Sequence, residues 1–423
     1  MNFQYLKCGA ETYQFEVKPL GKSCQLCKSA TPIVTLTTQS LKLCKGCFLR
    51  IQERRVLEAV KKYKMFGDED KVGIFLSGGK DSSVLALLLK RLFPRLHLEG
   101  VYLNLGIGYY SNYVEEAVRR LCEKLQLPLT VYHLPVRDGF TIDDFVFTDF
   151  KDKVCSVCGT IKRYLFSRLA KELGLTVIAT GHHLDDLLST YLTLFFSGDF
   201  ESIKRLVPVN PPFFPGQAKK VKPLFFIPER EIFYVAALEE LPLEPCSCPH
   251  GEITPSKRMK QWLESLSQEN RALKYQLLSV FLKKFIPMIK LDEVAETFNT
   301  CLKCGEYTSS PNQICGRCRR VALLERVSDR KLEFTMEEWD AISDKNDWLI
   351  FDVREKEDFL REHLEGAQFV PHSLLDDEKA LYKFFKPYKN KRLLFYCYSG
   401  RLSYLFTLKL RKLSFKAYNL RIS

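Results

Sequence analysis

A short segment rich in glycine and hydroxyl side chains, residues 77–83, has the composition of a phosphate-binding loop. Two adjacent glycines let backbone N–H groups approach phosphate oxygens, and the start of a following helix adds a partial positive charge. The spacing differs from the G-x-x-x-x-G-K-[ST] loop of kinases and GTPases. We expect nucleotide phosphates to bind at seven residues, which are Ser77, Gly78, Gly79, Lys80, Asp81, Ser82 and Ser83.

A second polar segment, residues 180–186, follows a later predicted strand and ends in two adjacent carboxylates, Asp185 and Asp186. Carboxylates at the carboxyl end of a parallel strand can hold Mg²⁺ together with nucleotide phosphates. A helix N-cap at Asp185 is the plainer alternative. Because the phosphate-binding loop is also present, we favour Mg²⁺ and expect Gly181, His182 and Asp185 to line the nucleotide site.

Twelve of the fifteen cysteines lie in six close pairs, which is unusual for a chain that reads as cytosolic. Four of these pairs form two modules with zinc-ribbon spacing. Four thiolates close a tetrahedral site, so each module is predicted to hold one structural Zn²⁺. The ligands are Cys24, Cys27, Cys44 and Cys47 in the first module and Cys301, Cys304, Cys315 and Cys318 in the second.

The pair Cys155 and Cys158 has no second pair nearby, but Cys246 and Cys248 follow about ninety residues later. Three thiolates leave one coordination position open, which suits an iron–sulfur cluster that binds an external sulfur. The same cysteines would also suit a dithiol that cycles through a persulfide or disulfide. A structural four-cysteine zinc site is the third interpretation.

Composition and charge restrict the class of protein. Hydrophobic residues make up 46% of the 423 residues and charged residues 27%, which excludes a disordered or collagen-like chain. No apolar run approaches the roughly 20 residues that span a bilayer, and no secretory signal is visible, so we expect a cytoplasmic protein with no membrane partner.

The positive charge is concentrated in the cysteine modules. The net charge is +13; residues 1–50 carry +5 and residues 301–320 carry +3. Basic metal-binding modules favour a nucleic-acid partner, whereas a merely solubilising charge is the alternative.

The elements that must position these residues alternate along the chain. Strands are predicted at 72–76, 98–103, 129–133 and 176–180, with helices at 51–70, 84–92, 114–125, 160–173 and 185–196, and a long helical stretch at 257–285. This alternation is typical of a doubly wound parallel sheet. The predicted domains are a zinc finger at 1–50, a nucleotide-binding domain at 51–295, a second finger at 296–325 and a separate α/β domain at 335–423.

Residues 77–83 match the pyrophosphate loop of ATP-pyrophosphatases, and residues 1–325 resemble the tRNA 2-thiouridine synthetases of the TtcA/TtuA group. The resemblance rests on residues 76–82, 105–108, 155–164, 179–186, 221–224 and 248–249 and on both fingers. It implies ATP, Mg²⁺, two Zn²⁺ and a homodimer. It further implies a [4Fe–4S] cluster held by Cys155, Cys158 and Cys248, with catalytic roles for Lys162 and Asp186.

The C-terminal segment resembles a rhodanese domain. Residues 351–354 and 363–367 match its first half, and Cys397 follows a predicted strand in the loop 397–403. A cysteine surrounded by inward-pointing N–H groups can carry a persulfide, because those donors stabilise the anionic sulfur. The usual arginine five residues after the cysteine is Leu402 here, with Arg401 one place early. Cys397 is predicted to carry sulfur, and a docking or regulatory domain is the alternative.

The predicted function is ATP-dependent sulfur transfer to a tRNA uridine. The uridine 2-oxygen would be adenylated, and sulfur would then be delivered to C2 from the cluster. A persulfide or sulfur-carrier protein is the expected donor. Thiolation of a tRNA cytidine or of a small metabolite by the same chemistry is one alternative. A non-catalytic scaffold that binds tRNA or relays sulfur is another.

Overall fold

The structure is a computed structural model that describes residues 2–8, 11–37, 39–214, 216–243, 247–251, 255–289 and 299–422, with side chains from residue 17 onward. The chain forms two compact units. The first contains residues up to 104, 113–133 and 162–300, and the second contains residues 105–112, 134–161 and the chain from 301 onward. Across the part of the chain that is described, no helix combines the length and the apolar character needed to cross a bilayer.

Strands and helices are numbered here in chain order. The strands are β1 Asn2–Cys8, β2 Glu11–Val17, β3 Val34–Thr35, β4 Lys42–Leu43, β5 Lys71–Leu76, β6 His97–Asn104, β7 Leu129–His133, β8 Val177–Ala179, β9 Val209–Asn210, β10 Lys219–Val221, β11 Asn299–Thr300, β12 Tyr307–Thr308, β13 Glu333–Thr335, β14 Trp348–Asp352, β15 Ala367–Phe369, β16 Arg392–Tyr396 and β17 Lys416–Arg421.

The helices are α1 Lys45–Tyr63, α2 Lys80–Leu92, α3 Gly108–Leu125, α4 Leu134–Asp138, α5 Val154–Glu172, α6 Leu184–Ser197, α7 Phe200–Lys204, α8 Glu229–Leu238, α9 Pro255–Glu269, α10 Leu273–Val280, α11 Ile286–Met288, α12 Gly316–Leu324, α13 Met336–Asp340, α14 Lys356–Arg361, α15 Glu378–Phe385 and α16 Arg401–Lys412.

The first unit is built on a six-stranded sheet with the order β7-β6-β5-β8-β10-β9. The four neighbouring pairs from β7 to β10 are parallel, and only β9 runs antiparallel to its neighbour. The predicted doubly wound parallel sheet is confirmed. The chain moves outward from β5 to β7 on one side and then returns to β8 on the other, so the order reverses between β5 and β8. In such sheets ligands bind in the crevice at this reversal.

The second unit contains a five-stranded sheet with the order β13-β17-β16-β14-β15, and all its pairs are parallel. Its core is rich in aromatic rings, with Phe351, Phe385, Phe395 and Phe406 fully buried. The predicted C-terminal α/β fold is therefore present.

Helix boundaries differ from the sequence prediction where a side chain caps the helix or breaks it. α1 begins at Lys45 rather than 51, because the Cys44 sulfur accepts a hydrogen bond from the Cys47 N–H and caps the first turn. The long helix predicted at 257–285 is divided between α9 and α10. Asn270 lies at the break, where its side chain accepts a hydrogen bond from the Ala272 N–H at 3.0 Å.

Candidate functional site

The glycine-rich loop lies at the carboxyl end of β5 and leads into α2. Gly78 has a φ of +73°, and a β-carbon there would lie 2.6 Å from Val114 Cγ1. The Ser77 N–H donates to Ser82 Oγ at 3.1 Å, and the Ser83 hydroxyl donates to the Gly79 carbonyl at 3.0 Å. The loop therefore has the tight turn and helix start that a phosphate site requires.

Lys80, on the first turn of α2, is only 4% exposed. Its ammonium group lies 2.7 Å from Glu229 Oε1 and 3.4 Å from the Asp81 carboxylate. Glu229 is the first residue of α8, which follows Pro228. A cation in this position can pair with a phosphate as readily as with a carboxylate.

The segment 180–186 approaches the loop backbone closely. A β-carbon on Gly181 would lie 2.9 Å from Asp81 C and from Ser82 N, so only glycine fits without displacing the loop. His182 is exposed, with Nδ1 2.9 Å from Thr180 Oγ1. Of the predicted nucleotide-site residues, the structure thus brings Gly181 against the phosphate-binding loop.

Three side chains beside the loop form a group that could hold a metal ion, namely Asp81, His183 and Glu229, whose candidate ligand atoms all lie within 4.8 Å of one another. The His183 ring is fully buried among carboxylates. Its Nε2 lies 3.2 Å from Asp186 Oδ2 and 3.7 Å from Asp81 Oδ1. Oxygen ligands suit Mg²⁺, and a buried imidazole among carboxylates suits a cation.

Asp185 has a different position from the one predicted for a metal ligand. Its Oδ2 accepts a hydrogen bond from the Glu229 N–H at 2.7 Å, and its Oδ1 accepts one from Lys274. Both carboxylate oxygens are therefore engaged, and Asp185 caps α8 and so positions Glu229.

Asp186 lies within this charged group. Its Oδ2 is 3.2 Å from His183 Nε2, and its Oδ1 is 3.1 Å from Lys260 Nζ, which also lies 2.7 Å from Glu229 Oε2. Burial by itself would raise the pKa of Asp186, but His183 and Lys260 hold that pKa below its ordinary value. The same opposition holds the pKa of Glu229 well below its usual range, with burial outweighed by Lys80 and Lys260.

No role was predicted for Glu229, Lys260 or Lys274, and His183 was included only within the segment 180–186. One signal was available for Glu229. It follows Pro228 at a helix start, five residues after the matched segment 221–224 ends. Lys260 and Lys274 lie on amphipathic helices where charged residues are common, and no spacing separated them from ordinary surface lysines.

Each finger brings its four sulfurs within 4.8 Å of one another, so both groups could hold a metal ion. The Ser29 hydroxyl donates to Cys27 Sγ at 3.4 Å, and this bond, together with backbone N–H donors of Ala30 and Ser29, lowers the pKa of that thiol to about 5. Burial would raise the pKa of Cys301, but backbone N–H donors such as that of Cys315 lower it to about 6. Thiolates are the form that binds zinc.

Cys155 lies on the first turn of α5 and Cys158 one turn later; Cys155 is exposed and Cys158 is half-buried. Lys162 is exposed four residues after Cys158 on the same helix. Cys248 is half-buried and belongs to the first unit, whereas the other two cysteines belong to the second. Cys246 lies outside the described residues. The cluster ligands stay a prediction.

Cys397 directly follows β16, and its side chain is 5% exposed. Its Sγ lies 3.3 Å from Ser403 Oγ. Gly400, with a φ of +70°, turns the chain into α16. The loop thus places a sulfur at the amino end of a helix, where an anion is favoured.

Two domain families match the chain. The PP-loop domain family matches residues 49–241, and the rhodanese-like domain family matches residues 335–422. These matches cover the sheet that carries the glycine-rich loop and the sheet that carries Cys397.

Two similar proteins each match about two thirds or more of the chain. A probable sulfurtransferase of Methanocaldococcus jannaschii is 32% identical over 67% of this chain and 83% of the relative. The tRNA-5-methyluridine(54) 2-sulfurtransferase of Pyrococcus horikoshii is 30% identical over 72% of this chain and 95% of the relative. The chain belongs to the PP-loop family of tRNA 2-thiolation sulfurtransferases.

A solved structure supports the same family assignment for this PP-loop sulfurtransferase. The U34-tRNA thiolase NcsA of Methanococcus maripaludis, solved with its [4Fe–4S] cluster, superimposes with a TM-score of 0.58 at 25% identity. The superposition covers 68% of this chain and 93% of NcsA.

Proposed function

We propose that this sulfurtransferase converts a uridine of tRNA to 2-thiouridine after activating the uridine 2-oxygen with ATP. The single observation that carries the proposal is the group formed by Lys80, Asp81, His183 and Glu229 beside the glycine-rich loop. It combines a phosphate site, a buried cation and a candidate metal site at the reversal point of a parallel sheet.

ATP phosphates bind the N–H groups of the loop and Lys80. Asp81, His183 and Glu229 would hold Mg²⁺, which neutralises phosphate charge when bound. The uridine 2-oxygen attacks the α-phosphorus and pyrophosphate leaves, so that the oxygen becomes part of a good leaving group. Hydrosulfide then attacks C2, and AMP departs with the original oxygen. Uridine, ATP and hydrosulfide thus give 2-thiouridine, AMP and pyrophosphate, with no net oxidation.

Two further residues take roles in this chemistry. Lys162 stabilises the negative charge that develops during adenylation. Asp186 is kept ionised by its neighbours and orients the buried cationic group through Lys260. Both assignments agree with the family resemblance of residues 158–164 and 179–186.

We further propose that Cys155, Cys158 and Cys248 hold a [4Fe–4S] cluster. Two of them, Cys155 and Cys158, stand one helical turn apart on α5. A cluster with three thiolate ligands offers one iron to an external sulfur ligand. The two fingers hold one Zn²⁺ each, and exposed Lys22, Lys28 and Lys42 on the first finger contact tRNA phosphates.

We also propose that Cys397 receives sulfur as a persulfide from a donor protein, and that the chain forms a homodimer. Light scattering checks the mass of the assembly. Mass spectrometry of the intact chain after incubation with a persulfide donor checks for an added 32 Da at Cys397, the mass of one sulfur atom.

The function is tested by incubating the purified protein with tRNA, ATP, Mg²⁺ and sodium sulfide under anaerobic conditions. Digestion to nucleosides and mass spectrometry should reveal 2-thiouridine, with AMP and pyrophosphate formed in equal amounts. An Asp186→Asn variant should form neither, whereas the exposed-residue control Glu201→Gln should match the wild type. Sulfur found in cytidine, or thiolation without pyrophosphate release, would overturn the proposal.

A further inference from the structure

One face of α16 contacts parts of the chain that lie more than 260 residues earlier. Arg401, Tyr404 and Arg411 are spaced by three and seven residues, so they share a face of the helix. The Arg401 guanidinium lies 5.9 Å from the centroid of the Tyr109 ring, and the Arg411 guanidinium lies 4.9 Å from that of Phe147. The opposite face, with Phe406 and Leu410, packs into the core of its own sheet.

The centre of this contact is a buried hydrogen bond. The Tyr404 hydroxyl donates to Asp143 Oδ2, and the Gly108 N–H donates to the same oxygen at 2.8 Å. Both side chains are 2% exposed. Burial raises the pKa of Tyr404 well above its ordinary value, and the Asp143 charge adds to this shift, so the phenol remains a donor.

The fit against Tyr404 requires a residue without a side chain. Gly108 has a φ of +31°, and a β-carbon there would lie 2.5 Å from Tyr404 Cζ. The Tyr109 ring meets the Tyr404 ring edge-on, with centroids 5.8 Å apart. The Tyr404 ring therefore packs directly against the backbone of Gly108, with no room for a side chain at that position.

Two polar contacts flank the buried centre. Arg330 Nη1 lies 3.0 Å from Asp144 Oδ2, and Lys151 Nζ donates to Ser414 Oγ at 2.6 Å. Together with the contacts of Tyr404, these two contacts connect α16 and residues before and after it, Arg330 and Ser414, to segments 105–112 and 134–161.

The same helix fixes the position of Cys397. The cysteine stands four residues before α16, and its Sγ is 3.3 Å from Ser403 Oγ, next to Tyr404 in sequence. Cys155 and Cys158 belong to the same compact unit as Cys397.

We propose that Tyr404 and Asp143 hold the rhodanese-like domain in one docked position, from which Cys397 delivers sulfur, rather than letting it swing on a flexible tether. They are positioning residues. The inference rests on the proposed sulfur-carrying role of Cys397. In a fixed position, Cys397 does not have to be oriented anew at each transfer. The loss of orientational freedom that is avoided in this way is a large part of the barrier in such reactions.

Delivery of sulfur from the Cys397 persulfide requires a dithiol as the reductant. The Cys397 persulfide contains a sulfur–sulfur bond that breaks, the outer sulfur leaves as hydrosulfide, and Cys397 returns as a thiolate. The two electrons come from the dithiol, whose two S–H groups become one S–S bond.

The test compares two sulfur sources with the full-length protein. In the first, Cys397 is loaded by a protein persulfide donor, the donor is removed, and dithiothreitol is then added, so that Cys397 carries the persulfide that is reduced; the second source is sodium sulfide. Tyr404→Phe removes the donor and keeps the ring. Tyr382→Phe, a half-buried phenol that packs on Phe415 in the same domain, is the matched control. Hydrogen–deuterium exchange of residues 105–112 and 401–412 reports docking independently of activity.

We expect Tyr404→Phe to lower persulfide-driven thiolation by about tenfold or more, to speed exchange in both segments and to leave sulfide-driven thiolation and persulfide loading of Cys397 unchanged. Tyr382→Phe should change none of these. If Tyr404→Phe fails to fold, Arg330→Gln provides a second variant at the exposed edge of the contact. It should cause a smaller loss of persulfide-driven thiolation and leave sulfide-driven thiolation unchanged.

Other results overturn the proposal in distinguishable ways. Tyr404→Phe and Arg330→Gln could retain the wild-type rate of persulfide-driven thiolation while Cys397→Ser loses it. That result would show that Cys397 carries sulfur without needing the docked position. No loss in Cys397→Ser would remove the sulfur-carrying role itself. No thiolation by the wild type from sulfide would remove the proposed enzymatic function.

Discussion

The Lys80 ammonium group lies 2.7 Å from Glu229 Oε1 and so joins the phosphate-binding loop to a residue 149 positions later in the chain. Lys260 lies 2.7 Å from the other oxygen of the same carboxylate. Glu229 therefore holds two cations in place before any phosphate is bound. In the proposed mechanism, the phosphates of ATP offer Lys80 a second anionic partner, and the Glu229 carboxylate then becomes available to a divalent cation.

Glu229→Gln should weaken the response to Mg²⁺, because the candidate metal group loses one charge and Lys80 loses its partner. We expect the Mg²⁺ concentration for half-maximal pyrophosphate release to rise by about ten- to a hundredfold. A titration of pyrophosphate release against Mg²⁺ measures this. The exposed Glu201→Gln serves as control, and an unchanged Mg²⁺ requirement would place the cation elsewhere.

Gly181→Ala should displace the phosphate-binding loop. The added methyl group would lie 2.9 Å from backbone atoms of Asp81 and Ser82, which cannot move aside as a side chain does. Since a shift of about 1 Å in a site of this kind costs up to about a hundredfold in rate, we expect a clear loss of ATP affinity by calorimetry. Gly67→Ala has open space around its added carbon and should bind ATP normally.

The cysteine groups should separate by metal content. Cys24→Ser and Cys301→Ser should each lose one zinc of two, whereas Cys155→Ala should lose iron and retain both zinc ions. Elemental analysis of anaerobically purified protein gives these numbers. Cys122→Ser is the control, since burial raises the pKa of this lone thiol to about 11 and makes it a poor ligand. Iron retained in Cys155→Ala would contradict the cluster assignment.

Lys222 should make stability depend on pH in the alkaline range. Burial, with a smaller effect of Lys220, lowers the pKa of Lys222 from its ordinary 10.5 to about 8. Between these two values the unfolded chain holds a proton that the folded chain has lost, so the free energy of unfolding rises with pH there. The rise is at most about 3 kcal/mol.

Lys222→Met should abolish that rise. The measurement is the free energy of unfolding, obtained from urea denaturation at pH 8 and pH 10. Exposed Lys61→Met should retain it. Parallel curves for the wild type and Lys222→Met would show that this amine keeps its proton after folding.

Cys397→Ser should slow thiolation only when sulfur is supplied as a protein persulfide. Sulfide reaches the reaction without a carrier, so the sulfide-driven rate provides the reference for the same preparation. The ratio of the two rates by nucleoside mass spectrometry is the measurement. Cys122→Ser controls for loss of a buried thiol, and an unchanged ratio would leave docking or regulation as the role of this domain.

The sheet was predictable because each strand is a short buried run next to a turn or a helix start. Residues 72–76 and 176–180 read as strands, and the motifs that follow them had to meet at one edge once the strands were parallel. The two cysteine groups were equally clear, since cysteine spacing alone predicts which four sulfurs come together in each.

The remainder of the site depends on contacts that spacing does not encode. Glu229, Lys260 and Lys274 reach the site from helices that begin 40 to 90 residues after the Asp185–Asp186 pair, and their charge is ordinary for helix surfaces. Asp185 shows the opposite case. Its place in a recognisable motif favoured a metal ligand, whereas the Glu229 N–H and Lys274 occupy its oxygens.

The contact between α16 and the earlier segments could not be predicted from the sequence either, because it also depends on residues that are far apart in the chain. Tyr404 reads as an ordinary core residue of an amphipathic helix, and Asp143 as the start of a short turn. Only the fold shows that their side chains meet across 261 positions.

The first finger is fused to the helix that follows it. Cys44 is at once a member of the finger and the cap of α1. Gln52 of that helix donates to the buried Glu231 carboxylate at 2.8 Å, as does the Thr37 hydroxyl of the finger at 2.6 Å, and Glu231 lies two residues from Glu229 on α8. In evolutionary terms the finger is not an exchangeable module. A lineage that discarded it would also lose a helix start and the anchor of an ATP-site residue, so the finger and the nucleotide domain must be inherited together.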